Sequence, residues 1–146
     1  AALCEALAAA FARLGVRATP QAVQGSFCDG RWNLAVHGRK LVGTAQAWRR
    51  FGAQQVVLAH ALIIVGADPV ALTDRANALE AELGHDRPYR ADTLTSLARE
   101  AHDLIDLEAR TLEVLAEQFA RVVPPRPAKE LDDGDARIRD GAARPG

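Results

Sequence analysis

The residues with the most chemical potential in this 146-residue chain gather in one stretch, Gly25-Ser26-Phe27-Cys28-Asp29-Gly30-Arg31-Trp32-Asn33-Leu34-Ala35-Val36-His37-Gly38-Arg39-Lys40-Leu41-Val42-Gly43-Thr44-Ala45-Gln46. It reads as a glycine-bounded loop feeding a β-hairpin. Only two of the 18 basic residues are lysines, Lys40 and Lys129, and the rest are arginines. A lysine kept beside Arg39 therefore points to work that a compact, rotatable ammonium does better than a planar guanidinium fork. A solvated charge at the end of a hairpin is the competing reading.

The run from Gly25 to Gly30, then Asn33-Leu34, then Gly38 to Gln46, resembles the lipoate-protein ligase and octanoyltransferase family of the biotin/lipoate ligase superfamily. Weaker similarity continues through Leu58-Ala59-His60-Ala61-Leu62 and Thr93-Leu94-Thr95-Ser96-Leu97, so that it covers roughly residues 1 to 100. Three departures accompany it. The family's upstream arginine- and glycine-rich loop, which encloses the acyl chain, has no counterpart here. Asn33 stands where an aspartate is common, and Ala61 where a glycine is usual.

The resemblance implies roles residue by residue. Lys40 would sit against the acyl carbonyl, or against the adenylate phosphate in ATP-using members, where a cation stabilises the oxygen that gains charge. Cys28 would be a nucleophile holding the acyl group as a thioester, which divides one hard transfer into two easier ones. A small buried hydrophobe is the alternative for that cysteine. Gly43, Thr44 and Ala45 would lie along the acyl or acyl-adenylate group, with Asn33 also counted among the residues that bind it and Gln46 as a further donor. Cys4 reads as packing, and His60 as a hydrogen-bonded histidine of an apolar strand.

These side chains depend on the elements around them. His37-Gly38 reads as the two-residue turn of a hairpin whose strands are Trp32 to Val36 and Arg39 to Trp48. In that register Ala35 pairs with Lys40, and an unbent hairpin would hold Cys28 about 23 Å from Lys40 at roughly 3.3 Å per residue. The pair can act together only if the chain leaves the sheet near Trp32 and folds back, a reversal that Gly25 and Gly30 would permit. The small residues Gly43, Ala45 and Ala47 admit either a packed backbone or a ligand.

Elsewhere, Leu3, Leu7, Phe11 and Leu14 mark a helix over 2–14 closed by Gly15. Val56 to Val65 is a continuous apolar run, as expected of a central strand covered on both faces. Asp68-Pro69 reads as the N-cap and first residue of a helix whose buried stripe is Leu72, Ala76, Leu79 and Leu83. Further helices are expected over 95–104 and 107–121. The proline- and glycine-rich stretch 124–146 has too few apolar residues to offset its ordering entropy and reads as a disordered tail.

A net charge of −1 leaves no basic surplus for phosphates, so nucleic acid is not an expected partner. The apolar run 56–67 is interrupted by His60 and is shorter than a membrane helix needs, so no membrane association is expected. Histidines 37, 60, 85 and 102 and the two cysteines show no metal-ligand spacing. A reducing cytoplasm is the default for two dissimilar cysteines.

The fold expected is α/β, a mixed sheet with helices, with 1–123 forming the C-terminal part of a biotin/lipoate ligase-type catalytic domain. An apolar helical stripe already running at Leu3 suggests that the start has been cut off. The implied function is attachment of octanoyl or lipoyl groups to a lysine of lipoyl domains in 2-oxoacid dehydrogenases, or of the glycine cleavage carrier protein. No tightly bound cofactor is expected, lipoate or octanoate being substrate. Transfer from a thioester or amide donor is favoured over an ATP- and Mg-dependent ligase acting through lipoyl-AMP. The reading from another class is a non-catalytic relative that binds an acyl group or a carrier domain.

Overall fold

The structure is a computed structural model that describes residues 2–86 and 88–122. The tail expected over 124–146 lies outside the described residues. Helix α1, Ala2–Ala12, buries Cys4, Ala6, Leu7, Ala10 and Phe11 along one side. The chain reverses at Gly15, whose φ of 77° suits glycine, and Val16 donates back to the Phe11 carbonyl at 3.0 Å. It then enters a sheet of four strands: β1 Thr19–Pro20, β2 Leu34–Val36, β3 Arg39–Phe51 and β4 Gln54–Ile63.

The sheet order is β1-β2-β3-β4, and every pair of neighbouring strands is antiparallel. The mixed sheet expected from sequence is therefore corrected. Among the described residues the parallel component is one isolated bridge between Lys40 and Leu94. At the β2–β3 turn His37 and Gly38 both have positive φ, 50° and 75°, the left-handed pair of a type I′ hairpin that matches the twist of its strands. Ala35 faces Lys40 as the turn length requires, but Leu34 then faces Val42, which makes Leu41 the extra residue of a β-bulge. That bulge resets the alternation of β3, so Lys40 and Gly43, three residues apart, come to the same side.

Three further expectations fail for identifiable reasons. The run 56–65 is the edge of the sheet rather than its centre, and β4 is exposed along almost its whole length. A continuous apolar run records that both faces suit burial; it does not say what buries them. Helix α2, Pro69–Glu82, starts as expected, with Asp68 Oδ1 accepting from the amides of Val70 at 2.6 Å and Ala71 at 3.2 Å. Its buried residues, however, are Pro69 and Thr73, and Leu79 and Leu83 are exposed. The helix expected over 95–104 is a single turn, α3 Leu97–Glu100, because the preceding backbone is committed to the sheet. Thr95 N–H donates to the Lys40 carbonyl, Leu97 to Ile64 and Ala98 to Val65, each at 2.9 Å.

Helix α4, Leu107–Val122, packs against α1, placing Val114 in the core cluster with Leu7, Phe11 and Leu97. The ion pair Arg13–Glu117 at 2.7 Å joins the two helices at the surface, where such pairs contribute little. Among the described residues no helix is long and apolar enough to cross a membrane. The core is thus gathered at one end of the hairpin, around β2 and the first residues of β3, which is where Lys40 lies.

Candidate active site

Lys40 is 1% exposed, an unusual environment for an ammonium. It is satisfied by the backbone of the loop above it. Nζ donates to the carbonyl of Phe27 in a very short contact and to that of Cys28 at 2.9 Å, and sits 5.2 Å from the centre of the Phe27 ring. Burial pushes the ammonium below its usual range, while the charges of Cys28 and Asp29 oppose that shift. The chain therefore does leave the sheet before Leu34 and fold back, the one geometry in which Cys28 can lie near Lys40.

The reversal is held from several directions. Cys28 has a φ of 52°, a left-handed conformation that costs a residue with a Cβ about 1 kcal/mol or more. Two donors fix it there, because the Cys28 carbonyl also accepts from Asn33 Nδ2 at 2.7 Å. Asn33 is buried; its own amide donates to Gly30 at 3.2 Å and its carbonyl accepts from Gln21 at 2.9 Å. An aspartate at this position would bring an acceptor to an acceptor carbonyl, so the asparagine fits the loop's bonding.

Gly43 leaves room for Lys40. A Cβ there would meet Lys40 Cε at 3.3 Å and Nζ at 3.4 Å. Thr44 donates from Oγ1 to the Trp32 carbonyl at 2.6 Å, and the Cys4 thiol donates to the same oxygen at 3.2 Å. Trp32 is consequently part of the loop and not of β2. Thr44, Ala45 and Gln46 line an open cavity of about 370 Å³ together with Cys4, Trp32 and Ala59. His60 is exposed and paired across the strands with Ala45.

Cys28 faces a different and larger recess of about 710 Å³, shared with Asp29, Glu80, His85, Asp86 and Tyr89. The sequence-derived site is thus divided: Cys28, Lys40, Gly43 and Asn33 come together, whereas Thr44 and Ala45 open onto the second cavity at the far end of the same loop. The residues facing Cys28 from α2 and its following turn were not singled out from sequence. Glu80 accepts from Tyr89 Oη at 2.7 Å and is in very short contact with His85 Nδ1, and these two bonds, His85 first, lower its carboxyl below the usual range. Tyr89 is pinned by Asn77, which accepts from its amide at 2.7 Å and donates to its carbonyl at 3.0 Å, and its ring meets Phe27 edge-on at 5.8 Å. The signal that could have found this group is the helix-stop pattern Glu80-x-x-x-Gly84-His85.

No family model matches the chain. It is similar to an uncharacterized protein of Cupriavidus necator, 39% identical over 142 residues that cover 84% of this chain and 56% of the relative. It is also similar to a protein of Kyrpidia tusciae named octanoyl-[GcvH]:protein N-octanoyltransferase, 34% identical over 152 residues that cover 97% of this chain and 53% of the relative. The chain spans about half the length of the curated relatives it matches.

Proposed function

We propose that this chain carries the nucleophile of an acyltransferase that moves an octanoyl group, or the related lipoyl group, onto a lysine of a lipoyl carrier domain. The observation that carries the reading is the loop reversal, which sets Cys28 on an open recess while its backbone and that of Phe27 grip a buried Lys40. The Kyrpidia tusciae relative adds support, since its name describes an octanoyl group taken from GcvH to a nitrogen of a protein. Applied here, the donor is an octanoyl-bearing carrier such as the glycine cleavage protein. The acceptor is the lysine of another carrier, such as a lipoyl domain of a 2-oxoacid dehydrogenase.

The chemistry divides into two displacements. The Cys28 thiolate attacks the donor carbonyl, forming a C–S bond. The C–N bond to the donor lysine breaks, and that nitrogen leaves as an amine after taking a proton from water. An acceptor amine then attacks the thioester carbonyl and gives up a proton, the C–S bond breaks and the thiolate is restored. Both steps build negative charge on the carbonyl oxygen, which the field of the Lys40 ammonium stabilises. Two of its three N–H donors are taken by Phe27 and Cys28 among the described residues.

Intact mass measurement of the full chain mixed with an octanoyl donor and no acceptor tests this reading. One octanoyl adduct is expected, removed by hydroxylamine and absent in Cys28→Ser. If Cys28→Ser transfers at the normal rate in a reaction that needs ATP, the chain belongs to an adenylating ligase. If no donor gives an adduct or a product while the acyl group or carrier still binds, it is a non-catalytic binder.

A further inference from the structure

The recess that Cys28 faces contains a hydrogen-bonded imidazole that the two displacements above do not yet use. Its position follows from how α2 ends. Gly84 takes a φ of 77°, its amide donates to the Ala81 carbonyl at 3.1 Å, and the His85 amide donates to the Glu80 carbonyl at 2.9 Å. This double bond pattern is a Schellman stop, in which the residue after the glycine is thrown back over the last helical turn. The His85 ring is thereby returned to the side chain of Glu80, and Nδ1 meets Oε2. The other oxygen of the same carboxylate accepts from Tyr89 Oη.

A carboxylate on Nδ1 fixes the tautomer, because an acceptor-only group requires the proton there. Nε2 is then the basic nitrogen. The ring is largely exposed, and it lines the same recess as Cys28. An imidazole oriented by a third group and facing the nucleophile's cavity has the arrangement of a general base. The lining adds a second property. Among the described lining residues Asp29, Glu80 and Asp86 are acidic, which suits the approach of a lysine side chain.

We infer that His85, oriented by Glu80, is the base that accepts the proton of the acceptor lysine when that amine attacks the Cys28 thioester, and that this recess is the entry for the acceptor lysine. The inference rests on the acyl-transfer reading of Cys28. The neutral amine forms the C–N bond, its nitrogen gives a proton to Nε2, and the C–S bond breaks with the electron pair on sulfur. The imidazolium then gives the proton to water, which restores the neutral imidazole and the thiolate.

The test separates this inference from the reading beneath it. The full chain is loaded from S-octanoyl-N-acetylcysteamine, whose transfer to Cys28 is a thiol exchange that needs no amine, and then mixed with Nα-acetyl-lysine methylamide. Discharge to the amine is followed by mass. In His85→Gln loading is expected within a few-fold of normal, and discharge is expected to fall by about 100-fold, the usual scale of a lost general base. A variant that loads is folded, so loading is its own control. If His85→Gln does not load, Glu80→Gln, which leaves the imidazole without its carboxylate, must show the slower discharge. Wild-type protein that never loads overturns the acyl-transfer reading and this inference with it. Normal loading with normal discharge in both variants overturns the inference alone.

Discussion

At the scale of single residues, Lys40 shows how a charge can be both buried and retained. Its ammonium trades water for two backbone carbonyls, and those carbonyls belong to the loop that must be held over it. Burial still lowers its pKa from 10.5. Between that lowered value and 10.5 the unfolded chain holds a proton that the folded chain has released, so this group makes stability rise with pH across the window. Lys40→Met removes that slope and strands the Phe27 carbonyl, leaving that of Cys28 with Asn33 alone, at a cost of about 1–3 kcal/mol. Denaturant titrations in the alkaline range should show the stability gap between wild type and Lys40→Met widening as pH rises, and the variant should lose acyl transfer. A gap independent of pH would mean that folding does not desolvate the ammonium. Lys40→Arg is a poorer probe, because a planar guanidinium exceeds the slot that Gly43 leaves open beside Nζ.

At the scale of elements, the end of α2 links a backbone conformation to a side-chain position. An added Cβ at Gly84 meets nothing within 4 Å, so Gly84→Ala acts only through its φ of 77°, costing about 1–2 kcal/mol. Relaxing that turn lifts His85 from Glu80, so discharge of the thioester should slow as well. Gly30→Ala, with open space and no positive φ, should leave both unfolding midpoint and discharge rate unchanged, and equal behaviour of the two variants would break the link. Such local devices are what the sequence makes legible. The type I′ turn at His37-Gly38, the Ala35–Lys40 register and the Asp68 cap each depend on residues within a few positions, and each is found. The bulge at Leu41, the shortening of α3 and the edge position of β4 depend on what packs or pairs from afar, which no local periodicity records. The candidate site divides in the same way. Cys28 and Lys40 could be linked through turn geometry, whereas the Glu80–His85–Tyr89 group reaches the recess only because α2 and its following turn fold back beside the loop.

At the scale of the whole molecule, the buried core and the apolar surface lie at opposite ends of one long hairpin. Its near end is packed between α1, α4 and the segment 93–97. Toward its far end it carries Trp48 at 55%, Phe51 at 65% and Leu58 at 63% exposure, Leu62, opposite Gly43 and nearer the core, is 60% exposed, and the outer edge of β4 is unpaired among the described residues. Exposed apolar side chains on an open strand edge favour pairing with further chain, whether by further strands of the same polypeptide or by another copy. The relatives, nearly twice as long, supply the first kind of cover in principle. Residues 1–123 produced alone should therefore self-associate, and Leu58→Lys with Leu62→Lys should reduce the association. Light scattering against concentration reads both expectations. A soluble monomer of residues 1–123 that unfolds in one cooperative transition would show that the ribbon needs no cover, and the apolar run of β4 would then have to be explained by a ligand or carrier surface instead.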